Sequence, residues 1–278
     1  YDNQHAEIYT NESSDRAFEE EVMLSGFGNA SVKSEGSGVA FDNAQESFSA
    51  RYTHETVALA FAITEEAIED NLYDRISSRY TKALARSMSN AKQVKAAAPL
   101  NNGLPSVDGF DSGDGVSLFN TSHTTVSGTN VKNTLTTQAD LNETSLEQAL
   151  IDIASFTDER GLRVAAKGVK MIIPSANQFS AERLLKSQGR TGTADNDINA
   201  VASMGMVPQG YRVNNFLTDS DSWYIITDVP NGMKMFTRAP LATAMEGDFD
   251  TGNVRYKARE RYSFGVSDFR GIFGVEGA

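Results

Sequence analysis

Cysteine is absent from the 278-residue chain. That absence removes disulfides, thiolate nucleophiles and thiolate metal ligands together, in agreement with assembly in a reducing cytoplasm. Histidine is scarce: His5, His54 and His123 are scattered, none with a ligand partner at i+3 or i+4. Zinc-type spacing is therefore missing, and all three read as polar surface residues. The sequence has no Gly-rich phosphate loop ending in Lys-Ser/Thr and no G-x-S-x-G nucleophile turn. These absences point to a non-enzyme with no catalytic residue, cofactor or metal site. Long apolar runs are also lacking. Nothing approaches the ~18 residues of a membrane span, and no basic-then-apolar leader opens the chain, which reads as soluble with no membrane partner. Positive charge is in deficit, with 25 Lys and Arg against 37 Asp and Glu and a net charge of −12. Uniform attraction to nucleic acid or an anionic membrane is disfavoured, while local basic patches are not. The first residue is Tyr1 rather than Met, which points to an upstream segment removed or left out.

What is present suffices for a core, since 40% of the residues are apolar, and the length fits one large or two moderate domains. The most informative stretch runs from Thr64 to Ala98. Ile68, Leu72, Ile76, Tyr80, Leu84 and Met88 step by four and predict one helix with an apolar stripe. Carboxylates crowd its first turns (Glu65, Glu66, Glu69, Asp70, Asp74) and cations the later ones (Arg75, Arg79, Lys82, Arg86, Lys92, Lys95), which suits the helix dipole. Thr64 is positioned to cap it and Pro99 to stop it, giving a rod roughly 50 Å long.

Around this helix the chain changes character several times. Residues 1–27 are polar and acidic, without a sustained period, and read as an extended arm. Residues 28–63 suggest a two-stranded excursion about Gly36-Ser37-Gly38, its second strand being Phe48 to Ile63. The Gly/Asp/Asn-rich stretch from Pro99 to Thr137 reads as a surface loop with short strands. Within it Asp108, Asp111 and Asp114 alternate with glycines but lack EF-hand spacing, and predict an acidic solvated loop rather than a calcium site. Thr144 and Glu147 have capping-box spacing for a helix ending by Gly161. A strand over Val169–Ile173 and a helix from Ser175 to Gly189 follow, then a polar loop over 189–199. Two strands, Trp223–Thr227 and Met233–Thr237, flank a hairpin-type turn at Pro230-Asn231-Gly232. From Val254 to Val266 a final strand alternates Val254, Tyr256, Ala258, Tyr262, Phe264 and Val266 on one face with Arg255, Lys257, Arg259 and Arg261 on the other, and Glu260 interrupts the apolar face. The cationic face predicts nearby carboxylates, namely Glu65, Glu66, Glu69 and Asp70 or Glu19 to Glu21, from the same or an adjacent subunit. A DNA stripe ranks lower because the aromatics fall on the opposite face, where stacking and phosphate contact cannot cooperate. A plain solvated face is the alternative.

The order of these parts resembles the tailed-bacteriophage major capsid protein, the Hong Kong 97 fold, over nearly the whole chain. The matching parts are an acidic N-arm (1–27), an E-loop hairpin (28–63), a peripheral domain with the long spine helix (64–105), a mixed α/β axial domain (106–237) and returning peripheral strands (238–278) that end in Asp268-Phe269-Arg270-Gly271. Val207-Pro208-Gln209-Gly210-Tyr211 and Ser222-Trp223-Tyr224 also look like axial-domain segments of such coat proteins. The resemblance implies an α+β capsid fold and a structural protein that assembles with itself into pentamers and hexamers. These would tile an icosahedral shell around double-stranded DNA without sequence-specific binding. It implies portal, scaffolding and decoration proteins as further partners, and a virion location after assembly in the host cytoplasm. Some members cross-link an E-loop lysine to an asparagine of another subunit. Lys33 is the only lysine of the 28–63 segment, but no motif here matches the asparagine or its assisting carboxylate. Encapsulin-type nanocompartments, similar in fold but filled with cargo enzymes, form one alternative. A secreted acidic binding or hydrolytic protein forms the other.

Overall fold

The computed structural model describes residues 3–70, 74–107, 109–190 and 197–278. In chain order these form β1 (Thr10–Ser13), β2 (Phe18–Leu24), β3 (Glu46–Thr53), β4 (Glu55–Ile63), α1 (Glu65–Glu69), α2 (Asp74–Asn102), β5 (His123–Thr124), β6 (Asn130–Val131), α3 (Glu143–Ala154), β7 (Gly168–Ile173), α4 (Gln178–Lys186), α5 (Ala200–Met204), β8 (Tyr211–Val213), β9 (Trp223–Thr227), β10 (Met233–Gly247), β11 (Val254–Val266) and β12 (Ile272–Val275). This is an α+β chain, divided into two compact units. The first comprises Tyr1–Glu19, Tyr52–Ala96 and Met235–Phe264; the second comprises Glu20–Arg51, Ala97–Lys234 and Gly265–Ala278.

The first unit is built on a sheet of order β1-β10-β11-β4. Strands β4 and β11 pair antiparallel without a break from Ile63↔Val254 to Glu55↔Tyr262. Leu84 and Met88 of α2 pack on Ala258 of β11, with Val57 and Phe61 of β4 against them. Phe61 stacks on Tyr256 with ring centroids 4.9 Å apart. The predicted single helix is two helices, α1 and α2, and Leu72 and the side chain of Ile76 lie outside the described residues. Ile68 and Tyr80 are about half exposed, so the stripe is buried only from Leu84 onward. Thr64 makes no side-chain capping bond. Pro99 does not stop α2 but sits inside it. A proline so near the end removes one helix bond, and the wholly buried Ala97 and Leu100 hold the turn in place.

The stretch read as an extended arm is packed in part. Gln4–Glu7 form a 3-10 turn, Ile8 and Tyr9 are buried, and the Tyr9 hydroxyl donates to the Ala96 carbonyl at 2.7 Å. Two adjacent apolar residues are too few to show a period, yet they are enough to anchor the segment. Strand β1 joins β10, and β2 joins β3. The expected first strand leading to Gly36-Ser37-Gly38 does not form, and the expected second, Phe48 to Ile63, is two strands, β3 and β4, in different sheets. Ser25 N–H donates to Gln45 O at 2.8 Å and closes the β2–β3 hairpin at its base.

The second unit centres on a sheet of order β12-β9-β7-β8, in which β8 runs parallel to β7, and β9 is antiparallel to both β7 and β12. Trp223, Tyr224, Ile225, Ile173 and Phe273 are wholly buried in it. The turn at Asn231, whose φ is 60°, exists, but β9 and β10 belong to different sheets, so it is not a hairpin. Helix α3 is capped by Asn142 and Ser145 rather than Thr144 and Glu147, and it ends at Ala154 rather than near Gly161. The stretch read as a surface loop is packed: Leu104, Leu118, Phe119, Val131 and Leu135 are buried. Asn133 makes that possible, because its Nδ2 donates to the carbonyls of Leu118 (2.7 Å) and Phe269 (3.1 Å) and so satisfies backbone that no sheet serves.

Candidate subunit-contact surfaces

Strand β11 has two chemical faces because successive side chains alternate across a pleated ribbon. Ala258, Glu260 and Tyr262 are buried, whereas Arg255, Lys257 and Arg259 are exposed and Arg261 is half-buried. Successive cations stand ~6.8 Å apart along the strand. Strand β4 sets Ala62, Ala60, Ala58 and Thr56 in register with Arg255, Lys257, Arg259 and Arg261, and so brings neither bulk nor a carboxylate to this face. Lys257 and Arg259 form no ion pair among the described residues. Arg255 is held by Asp248 in the β10–β11 turn. The Asp248 carboxyl also accepts from Thr251 Oγ1 at 3.0 Å, and the Thr251 bond foremost keeps it below the ordinary carboxylate range.

The interruption at Glu260 is resolved by the helix. Glu260 is 2% exposed, and its Oε2 lies 2.5 Å from Lys92 Nζ. Its Oε1 has no hydrogen-bond partner among the described residues, and neither does the Tyr262 hydroxyl. Burial, then the Glu260 and Glu55 charges, push the Tyr262 phenol well up. Nζ of Lys92 also lies 5.0 Å from the Tyr262 ring centroid, a cation–π distance.

Two histidines depart from the surface reading. His54 is buried, with Nδ1 2.9 Å from Ser263 Oγ and Nε2 2.9 Å from Ser14 Oγ. Ser14 Oγ donates to Glu19 at 2.7 Å, so Nε2 must be the donor to Ser14, and in the neutral ring Nδ1 accepts from Ser263. That neutral form agrees with a pKa lowered by burial and then by the Arg261 charge. His123 is wholly buried, stacks on Phe269 at 3.9 Å, and places Nδ1 2.6 Å from Asp114 and Nε2 3.1 Å from Asn133 Oδ1. Asp114, read as solvated, is thus an internal partner. Burial alone would raise its pKa, but the bonds from His123 and Ser112 hold it lower. Asp108 lies outside the described residues, and no described group of His, Asp or Glu could hold a metal.

Of the proposed acidic partners, Glu65, Glu66, Glu69 and Asp70 are all exposed, on α1 or just beyond it. Glu19 is taken by Ser14 and Arg16, and Glu21 by Lys234 at 2.6 Å and by Ser267. Among the described residues no ion pair joins the β11 cations to Glu65, Glu66, Glu69 or Asp70; Lys257 and Arg259 stay exposed, while Arg255 is paired with Asp248 and the Glu65 carboxylate lies against Gly252 of the β10–β11 turn. Lys33 is exposed in the stretch between β2 and β3, beside Val32 (98% exposed). Sequence reasoning missed a buried centre in the second unit. Arg270 meets Glu159 at 2.7 Å, Asp268 at 3.2 Å and the Thr157 carbonyl at 2.8 Å, with its guanidinium 4.4 Å from the Phe269 ring centroid. Burial raises the Asp268 carboxyl against the pull of Arg270.

Residues 47–275, from the second residue of β3 to the last of β12, match the family model described as phage capsid protein. The chain belongs to the phage capsid protein family. A search of curated proteins finds no match. Solved capsids show that this member has the Hong Kong 97-type fold. The capsid of an empty GTA particle is 14% identical, with a TM-score of 0.59 over 99% of this chain and 90% of that one. The capsid of Myoviridae phage XM1 is 12% identical, with a TM-score of 0.56 over 98% and 89%. That of cyanophage P-SCSP1u is 13% identical, with a TM-score of 0.59 over 97% and 86%. Membership makes the chain a structural capsid protein, and it gives the exposed charges their context: the surfaces to explain are those on which copies of one chain meet.

Proposed function

We propose that this capsid protein assembles into pentamers and hexamers that tile an icosahedral shell around double-stranded DNA, within the virion and after assembly in the host cytoplasm. Residues 1–27 serve as the N-arm, 28–63 as the E-loop, 64–105 as the peripheral domain with the spine helix, 106–237 as the axial domain, and 238–278 as the returning strands. The observation that carries the contact assignment is the ladder Arg255, Lys257, Arg259 and Arg261, opposed within its own sheet by Ala62, Ala60, Ala58 and Thr56. Its partners are Glu65, Glu66, Glu69 and Asp70 of an adjacent subunit; Lys33 lies on the E-loop contact. Carboxylates four apart on a helix stand ~6 Å apart, close to the ~6.8 Å spacing of the cations. One exposed pair contributes only ~0–1 kcal/mol, but every subunit contact repeats it. Portal, scaffolding and decoration proteins are the further partners of such a shell. The net charge of −12 favours a wall to which DNA does not stick tightly or sequence-specifically.

Electron microscopy of the purified protein is the first test, and regular shells are the expected result; only monomers at high concentration would refute assembly. Shells that enclose a protein cargo instead of DNA would favour the encapsulin reading. For the contact itself, Lys257→Glu with Arg259→Glu is expected to leave the subunit folded and reduce particle yield, with partial recovery on reversing Glu65 and Glu69 to lysine. Normal yield from the double reversal, by sedimentation at low and high salt, would mean these cations only face solvent.

A further inference from the structure

The segment between β2 and β3 is a loop with a neck. At that neck the Asp42 carboxylate accepts Gly28 N–H at 2.7 Å on one oxygen, and Asn43 N–H at 2.9 Å and the Arg160 guanidinium at 2.6 Å on the other. The residue before Arg160 is anchored in the second unit, and the Arg160 N–H donates to Asp158 at 2.9 Å. Glu159 accepts from Ser47 Oγ of β3 at 3.0 Å and from Val126 N–H at 3.2 Å, and it pairs with Arg270 at 2.7 Å, both side chains being 3% exposed. Beyond the neck the loop rests on little: Ser37 bonds back to Ser34, while Val32 (98%), Val39 (68%) and Phe41 (97%) are exposed. Its direction is therefore set where it begins and ends. A loop whose apolar residues must meet a second copy gains from being aimed beforehand, because the ordering cost then no longer falls on the encounter.

We propose that Asp42 is a latch, with Arg160 as its keeper, that closes the neck of residues 28–42 and aims this loop at the neighbouring subunit before assembly. Its consequence for particles rests on the shell reading above; the closure itself does not. Asp42 is a positioning residue. The Gly28 N–H foremost, and then Arg160, hold its carboxyl below the ordinary range.

The test uses the full-length chain in two states, dissociated subunits and particles. In dissociated subunits Asp42→Ala is expected to speed hydrogen exchange at the Gly28 and Asn43 amides by about two- to fivefold, the range that a partly exposed ion pair supports. In assembly, Asp42→Ala and Arg160→Asp each lower particle yield. The exchange Asp42→Arg with Arg160→Asp restores yield but not Gly28 protection, because arginine offers no acceptor to that N–H. Unchanged exchange in Asp42→Ala, normal yield from both single variants, or a double exchange no better than either would each overturn the proposal. Should the unaltered chain form no particles, the shell reading fails, while exchange in the dissociated chain still decides whether the latch exists.

Discussion

Removing the charge on Lys92 should be more damaging than removing the whole Lys92–Glu260 pair. In the structure Glu260 is 2% exposed, Lys92 Nζ is 2.5 Å from its Oε2, and Oε1 has no other hydrogen-bond partner among the described residues. Lys92→Met leaves a carboxylate between the sheet and α2 with no compensating charge, a change that costs about 3–5 kcal/mol at fully buried sites. The Lys92 side chain is 23% exposed, so water can reach part of the vacated space. That lowers the expectation to about 2–3 kcal/mol. At about 2–4 °C per kcal/mol for a chain of this size, thermal unfolding of dissociated subunits should begin ~4–12 °C lower. Lys92→Met with Glu260→Met replaces the pair by apolar side chains of similar length beside Met88 and Tyr262, and should fall within about 1 kcal/mol of the unaltered chain. A double variant as unstable as the single one, or a silent Lys92→Met, would refute the account of Glu260 as a buried charge dependent on one partner.

Met88→Ala, which empties the contact with Leu84 and Ala258, should cost about 2–5 kcal/mol in denaturant unfolding, whereas the exposed Ile68→Ala should cost under about 1 kcal/mol. Arg270→Met should cost at least about 3 kcal/mol, because Glu159 and Asp268 lose their shared partner, and Arg270→Lys should recover only part, having no planar fork to serve both carboxylates and the Thr157 carbonyl. For His54 the folded chain favours the neutral ring, so its contribution is complete above the ordinary value of 6.5 and is lost as pH falls through the lowered folded value. Thermal midpoints should therefore decline on acidification below about 6.5, and the decline should be shallower in His54→Gln; an equal slope in both would rule His54 out as its source.

Legibility in the sequence followed the length of each pattern. Strand β11 repeats its alternation over thirteen residues, and both its bounds and its two faces were readable from Val254 to Val266. Strand β7, a run of apolar residues closed by Pro174, was readable to within a residue. The long helix was visible from its four-residue step, but not its division, since the charges that suit a helix start at Glu65 and Glu66 also suit α1 alone. Pro99 misled because a proline signal carries no information about how well the following turn is buried. What could not be read were contacts between residues far apart in sequence. His123 gains its meaning from Phe269, Arg270 from Glu159, and Asp42 from Arg160; each pair is separated by more than a hundred positions, and no local period announces it. The proposed contact surface rests on two local patterns, one strand and one helix turn.

The proposed contact also gives copies of an acidic chain a way to associate selectively. Two subunits of net charge −12 repel each other at long range, and at physiological salt that repulsion fades beyond a screening length of about 8 Å. Attraction can therefore act only at short range and only where opposite charges are concentrated. In the proposed contact the exposed Lys257 and Arg259 are such a place, since β4 contributes alanines rather than carboxylates beside them, and the exposed acids of α1 are their proposed complement. On that proposal most encounter orientations are repulsive, and the few that align these cations with the carboxylates are favoured. Strengthening the ladder's neighbours with an internal acid, for example Ala60→Glu opposite Lys257, would neutralise the patch within one chain. It should weaken assembly without any loss at the contact itself, which separates a role in recognition from a role in folding.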